Sequence, residues 1–93
     1  MSEYIDIETE LSEDGRHIHV YTNLTLTRRA AETYDSPAAL EEGSPLAQAL
    51  AVIDGITHLH IAGSDLTITY DPDASSWHAI AADVSAAIKD FFL

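Results

Sequence analysis

The chain has 93 residues, 46% of them hydrophobic, which is enough for one hydrophobic core and too little for two. We therefore expect a single domain over residues 1–93. Its 16 acidic and 4 basic side chains give a net charge of −12, so nucleic-acid backbones and anionic membrane surfaces would repel it. Because the sequence contains no cysteine, these residues supply neither disulfides nor thiolate ligands.

The acidic charge has two explanations that the sequence leaves open. A solvated acidic surface keeps a protein soluble and monomeric, whereas the single lysine, Lys89, also fits a high-salt cytoplasm whose ions screen self-repulsion. No apolar run reaches the roughly 18 to 20 residues that cross a bilayer, and the start of the chain is acidic where a signal peptide is basic. We expect a cytoplasmic monomer that binds neither nucleic acid nor membrane.

Two strands are predicted near the start of the chain, because residues 4–8 and 17–24 alternate between apolar and polar side chains. Asp14-Gly15 lies between them and favours a tight turn, so the strands should pair as an antiparallel hairpin. Ile18, Val20 and Leu24 should face the core. Residues 25–43 are expected to be largely loop, with a short edge strand at 32–34 and one helical turn from Ser36-Pro37 to Leu40.

A capped helix opens the second half. Ser44 is a suitable N-cap, and Pro45 fits the first helical position because its missing amide hydrogen costs nothing there. The helix should run to about Ile53, with Gly55 ending it in a left-handed conformation. Its apolar stripe consists of Leu46, Leu50 and Ile53.

A second strand pair and a last helix complete the pattern. Residues 56–61 and 66–70 alternate as strands around a turn at 62–64. The last helix, capped by Ser75 or Ser76, should reach the C-terminus and bury a stripe formed by Trp77, Ile80, Val84, Ile88 and Phe91. The order ββαββα predicts a two-layer α+β fold, with an antiparallel sheet and both helices on one face.

Four stretches resemble the N-terminal domain of the Nfu/NifU-type iron-sulfur scaffold proteins, in the same order. They are Ser44-Pro45-Leu46-Ala47 at the helix start, Ile53-Asp54-Gly55-Ile56 at the corner, Thr67-Ile68-Thr69 in the last strand and Trp77 at the last helix. Each of these residues also contributes to the fold itself, by helix capping, chain reversal or core packing. The resemblance therefore bears on the fold first and on function second.

The resemblance implies a role in assembling or delivering iron-sulfur clusters. In that family a separate C-terminal Cys-x-x-Cys domain holds the cluster, and this chain is expected to stand without that domain. Thiolates hold nearly all such clusters, so a cysteine-free chain would act as a partner-binding module. It would dock a cysteine-bearing cluster protein through a sheet edge or through residues 25–43.

Paired histidines offer an alternative. His17 and His19 lie two apart on one predicted strand, as His58 and His60 do on another, and both pairs point away from the apolar face. If those strands were neighbours, the four imidazoles could bind one iron or zinc ion. The simpler interpretation is that the four histidines are solvent-facing side chains that bind nothing. A pH sensor that acts through their protonation is a weaker alternative.

Catalysis is not expected. The sequence has no glycine-rich phosphate loop, nucleophile elbow or metalloprotease helix. Asp71 and Asp73 lack the later glycine and glutamate of a calcium loop, so they are best interpreted as a turn before a helix.

Overall fold

The computed structural model describes residues 5–27 and 30–92. Over these residues the chain forms five strands and three helices. The strands are β1 (Ile7–Leu11), β2 (His17–Thr22), β3 (Glu32–Tyr34), β4 (Ile56–Ala62) and β5 (Asp65–Tyr70), and the helices are α1 (Pro37–Glu41), α2 (Pro45–Leu50) and α3 (Trp77–Phe92).

The strands make one antiparallel sheet in the order β1-β2-β5-β4-β3. The helices cover one face, and the result confirms the predicted two-layer α+β fold. The β1–β2 and β4–β5 hairpins are both present, and they are joined through β2 and β5 at the centre of the sheet. No helix in the described ranges is long and apolar enough to span a bilayer.

Alternation along the strands separates a core face from an open face. On the core face Ile18, Leu66 and Ile68 are at most 1% exposed, as are Leu59 and Ile61 of β4. Ile80, Val84 and Ile88 of α3 pack on this face as predicted. Phe91 does not, because it is 42% exposed. Its place in the predicted buried stripe is wrong.

The first hairpin is shifted relative to the predicted boundaries. β1 runs from Ile7 to Leu11, whereas residues 4–8 were expected, and Tyr4 lies outside the described residues. The turn uses Gly15 at φ 72°, a conformation that glycine adopts without steric cost. β2 ends at Thr22, two residues before the predicted end, and the Thr22 amide donates to the Ser64 carbonyl at 3.0 Å.

Both short helices begin with a Ser-Pro pair. Ser36 Oγ accepts a hydrogen bond from the Ala39 amide at 3.1 Å, and Ser44 Oγ accepts one from the Ala47 amide at 3.3 Å. These bonds satisfy amide groups that have no partner within the helix. The N-cap predictions for Ser36 and Ser44 are thereby confirmed.

α2 ends earlier than predicted, at Leu50 instead of Ile53. The Ile53 amide bonds to the Leu50 carbonyl at 3.1 Å, an i→i+3 contact that tightens the chain into turns. Gly55, at φ 97°, therefore serves the entry into β4 and does not cap α2 directly. Its carbonyl accepts the Asp71 amide at 2.8 Å, which closes the far end of the β4–β5 hairpin.

Residues 25–43 contain β3 and α1, and part of the expected loop is buried, at Leu26 and Thr27. The Leu26 amide donates to the Gly63 carbonyl at 2.8 Å, which ties this segment to the β4–β5 turn. The edge strand and the helical turn predicted inside the segment are both confirmed.

Candidate functional site

The open face of the sheet carries four of the five histidines. On β2, His17 and His19 are half-buried, and on β4, His58 and His60 are exposed. Strand register places His17 and His58 on either side of Thr69, and His19 and His60 on either side of Thr67. The two pairs thus form two rows across the sheet, each with a threonine in the middle.

β5 lies between the two histidine strands, so they are not neighbours. Two interstrand steps separate the Cα atoms within each row by about 10 Å. Within residues 5–27 and 30–92, no three or more His, Cys, Asp or Glu side chains are grouped to hold one metal ion. Metal binding by these histidines stays a prediction, and the shared four-histidine geometry has no support from the strand order.

Each histidine on the open face has its Nδ1 atom beside a side-chain oxygen. The distances are 3.4 Å from His17 to Asp14 Oδ1, 3.5 Å from His19 to Thr67 Oγ1, 3.0 Å from His58 to Thr57 Oγ1 and 2.9 Å from His60 to Thr33 Oγ1. The four oxygens belong to four different residues, so the rings are held separately. His78, the fifth histidine, lies on α3 with its ring 4.0 Å from that of Trp77.

Asp14 is the most perturbed carboxylate of this region. Ser12 Oγ and the Arg16 amide both donate to its Oδ1 atom, the latter at 3.0 Å. These hydrogen bonds stabilise the ionised form and lower the pKa of Asp14 from 3.8 to about 2, with a smaller contribution from His17. The β1–β2 turn therefore carries a full negative charge beside His17 at neutral pH.

The residues that carried the sequence resemblance are placed in the framework. Ser44 and Pro45 start α2, Leu46 is 2% exposed, and Gly55 enters β4. Trp77 opens α3 and is half-buried against the core. Thr67 is different, because it lies on the open face between two histidines.

A cleft of about 500 Å³ lies where residues 25–27, the start of α2 and the end of α3 meet. Its surface is mainly apolar. Phe91 and Phe92 of α3 form one side at 42% and 37% exposure, with their ring centres 5.1 Å apart in an edge-to-face arrangement. The remaining lining residues are Thr25, Leu26, Thr27, Glu32, Ser44, Pro45 and Leu46.

A chain of hydrogen bonds fixes one wall of this cleft. The Ser44 amide donates to Tyr34 Oη at 3.1 Å, and that hydroxyl donates to Glu32 Oε1 at 2.5 Å. Glu32 is 7% exposed, so its carboxylate needs such donors to be stable at this position. The start of α2 and the edge strand β3 are therefore held together at the cleft.

The sequence interpretation missed the cleft because it assigned Phe91 to the core and expected residues 25–27 to be loop. One signal was available: adjacent residues on a helix differ by about 100° in direction, so Phe91 and Phe92 cannot both face the sheet. Two bulky apolar side chains in succession at the end of an amphipathic helix indicate a second contact surface.

No curated protein matches this sequence. A family model described as the N-terminal region of the scaffold proteins Nfu and NifU matches residues 7–93. The matched region includes all eight elements of the fold, from β1 to α3. The chain therefore belongs to the Nfu/NifU scaffold-protein N-terminal family.

Proposed function

We propose that this chain is a non-catalytic module of iron-sulfur cluster assembly or delivery that docks a cysteine-bearing cluster protein. The family match over residues 7–93 carries the proposal, because it links the chain to iron-sulfur scaffold proteins. Since these residues contain no cysteine, the thiolates that hold a cluster would come from the partner. The cluster is cargo in this proposal, and this chain contributes recognition.

The cleft at Phe91 and Phe92 supports a docking role. Large apolar side chains that remain exposed beside a concave surface are typical of protein interaction sites, since water contact with them is unfavourable. The hydrogen bonds through Tyr34 keep the cleft wall in one arrangement before binding, which lowers the entropic cost of association. The cleft also borders residues 25–43, the segment expected to dock a partner.

An NMR titration tests the proposal directly. The isotope-labelled chain is titrated with a Cys-x-x-Cys domain of the Nfu/NifU type, once without and once with its cluster. We expect saturable shifts that include the amides of Leu26, Leu46 and Phe92. Replacing Phe91 and Phe92 with serine should weaken binding at least tenfold, as for an interface anchor worth about 1.4 kcal/mol or more.

Tyr21→Ser is the matched control, because Tyr21 is 41% exposed but lies on the open face, away from the cleft. It should leave the affinity unchanged. Absence of saturable shifts with both forms of the partner would reject the docking role. If replacing Phe91 and Phe92 left the affinity unchanged, the docking role would stand and the docking surface would be a sheet edge.

A further inference from the structure

We propose that the open face binds two divalent transition-metal ions separately, one at His17 and His19 and one at His58 and His60. The ions would be of borderline softness, such as Zn(II) or Ni(II), which favour neutral imidazole. This binding is independent of the docking role. It differs from one shared site because each strand supplies its own pair of ligands.

The spacing within each pair suits chelation. Residues two apart on a strand point to the same side, with Cα atoms about 7 Å apart. At that Cα separation, two imidazole nitrogens can reach one ion at roughly 2.0–2.1 Å each.

The hydrogen bonds at Nδ1 leave the other nitrogen for the metal. In all four rings Nδ1 is 2.9–3.5 Å from a hydroxyl or carboxylate oxygen. When Nδ1 carries the proton and donates it to that oxygen, Nε2 has the free lone pair. Metal-ligating histidines are oriented in this way by a hydrogen bond from their second nitrogen.

The strand order makes the sites separate and open. β5 keeps the pairs about 10 Å apart, and the oxygens that hold the rings lie on different elements. Since three or more ligating side chains are not grouped anywhere in residues 5–27 and 30–92, each ion keeps water in its remaining positions. We therefore expect weaker binding than at a closed four-ligand zinc site.

The two pairs should differ in affinity. Glu10 lies opposite His19 on β1, and Tyr21 Oη, 3.4 Å from Glu10 Oε2, places that carboxylate on the open face. Asp14 adds a second carboxylate next to His17, with its Oδ2 atom 3.4 Å from His17 Nδ1. The residues paired with His58 and His60 in the strand ladders are Thr33, Thr67 and Thr69. The site on β2 should therefore bind the cation more tightly.

Calorimetric titration with Zn(II) at neutral pH and high salt tests the proposal, with ring shifts of the histidines followed by NMR. The wild-type chain should bind two equivalents, the tighter one shifting His17 and His19. His19→Gln and His60→Gln should each lose one equivalent and keep the other. His78→Gln, the matched control on α3, should keep both.

Several results would overturn it. If the wild-type chain bound one equivalent of Zn(II) and each single variant lost it, one site would be shared by both histidine pairs. If Zn(II) did not bind saturably, a metal role would be excluded. Zinc that still binds to a variant lacking all four strand histidines would be held by surface carboxylates. Ca(II), which prefers oxygen ligands, identifies that case because it would compete for carboxylates but not for imidazole pairs.

Discussion

The two faces of this sheet are formed by the same strands, but the arrangement of side chains on each face has a different physical origin. On β5, Ile68 is completely buried on the core face, whereas its neighbour Thr67 faces outward between two histidines. The core face is determined by the burial of apolar area, which alternation in the sequence indicates directly. The open face is determined by which strands become neighbours. Its chemistry can therefore be understood only from the topology.

The largest difference between the faces should appear in the free energy of unfolding. Ile68→Ala removes a side chain that lies between Ile18 and Leu59 and should cost about 3–4 kcal/mol. Thr67→Ala, one position away on the open face, should cost about 1 kcal/mol or less. Urea unfolding at constant salt measures both. Equal losses would show that the open face is also packed against something.

Ile68→Val provides a graded version of the same comparison, in case the alanine variant does not fold. We expect a cost of about 1 kcal/mol, since one methylene is removed from a well-packed site. A valine variant as stable as the wild type would mean that the core around β5 is loosely packed.

An intermediate effect is expected at the junction of the two layers, where Gly43 lies under the ring of Tyr34. A Cβ atom at residue 43 would overlap that ring, so Gly43→Ala must displace it. The hydroxyl would then leave Glu32 and the Ser44 amide, at a cost of about 1–3 kcal/mol. Tyr34→Phe removes the hydroxyl alone. Because both changes act on one network, the double variant should cost less than the sum of the two.

The smallest effect should be the pH dependence of the β1–β2 turn, where Asp14 contacts His17 of the open face. The folded pKa of Asp14 lies below its ordinary value, so its ionised form stabilises the fold above pH 3.8. This contribution is lost as the pH falls towards about 2. Asp14→Asn should therefore be less stable than the wild type at pH 7, and the difference should shrink between pH 4 and 2. A constant difference across that range would contradict the assigned hydrogen bonds.

Much of the framework follows from local sequence chemistry. The Ser-Pro pairs at 36–37 and 44–45 predicted two helix starts, and Asp14-Gly15 predicted a hairpin, because each of these features acts within a few residues. Even the three-residue strand β3 was expected. These are the positions at which local preference and tertiary structure agree.

The remaining features depend on contacts between distant segments. α2 stops at Leu50 although the apolar spacing continues to Ile53, since the chain must turn there to reach β4. Phe91 fits a helical stripe but is 42% exposed and lines the cleft. The separation of the histidine pairs follows from β5 lying between β2 and β4, and no local pattern in the sequence encodes that order.

The pairing of β2 with β5 also has a consequence for how the protein folds. Each hairpin can close by itself, because its strands are joined by a short turn. The central pairing joins Ile18 to Ile68 and must close the long intervening chain, which costs more conformational entropy before any contact is gained. The rate-limiting step should therefore be the meeting of two preformed hairpins. Substitutions at the β2–β5 pairing should slow refolding more than substitutions at β1 or β3 that lower the free energy of unfolding by the same amount.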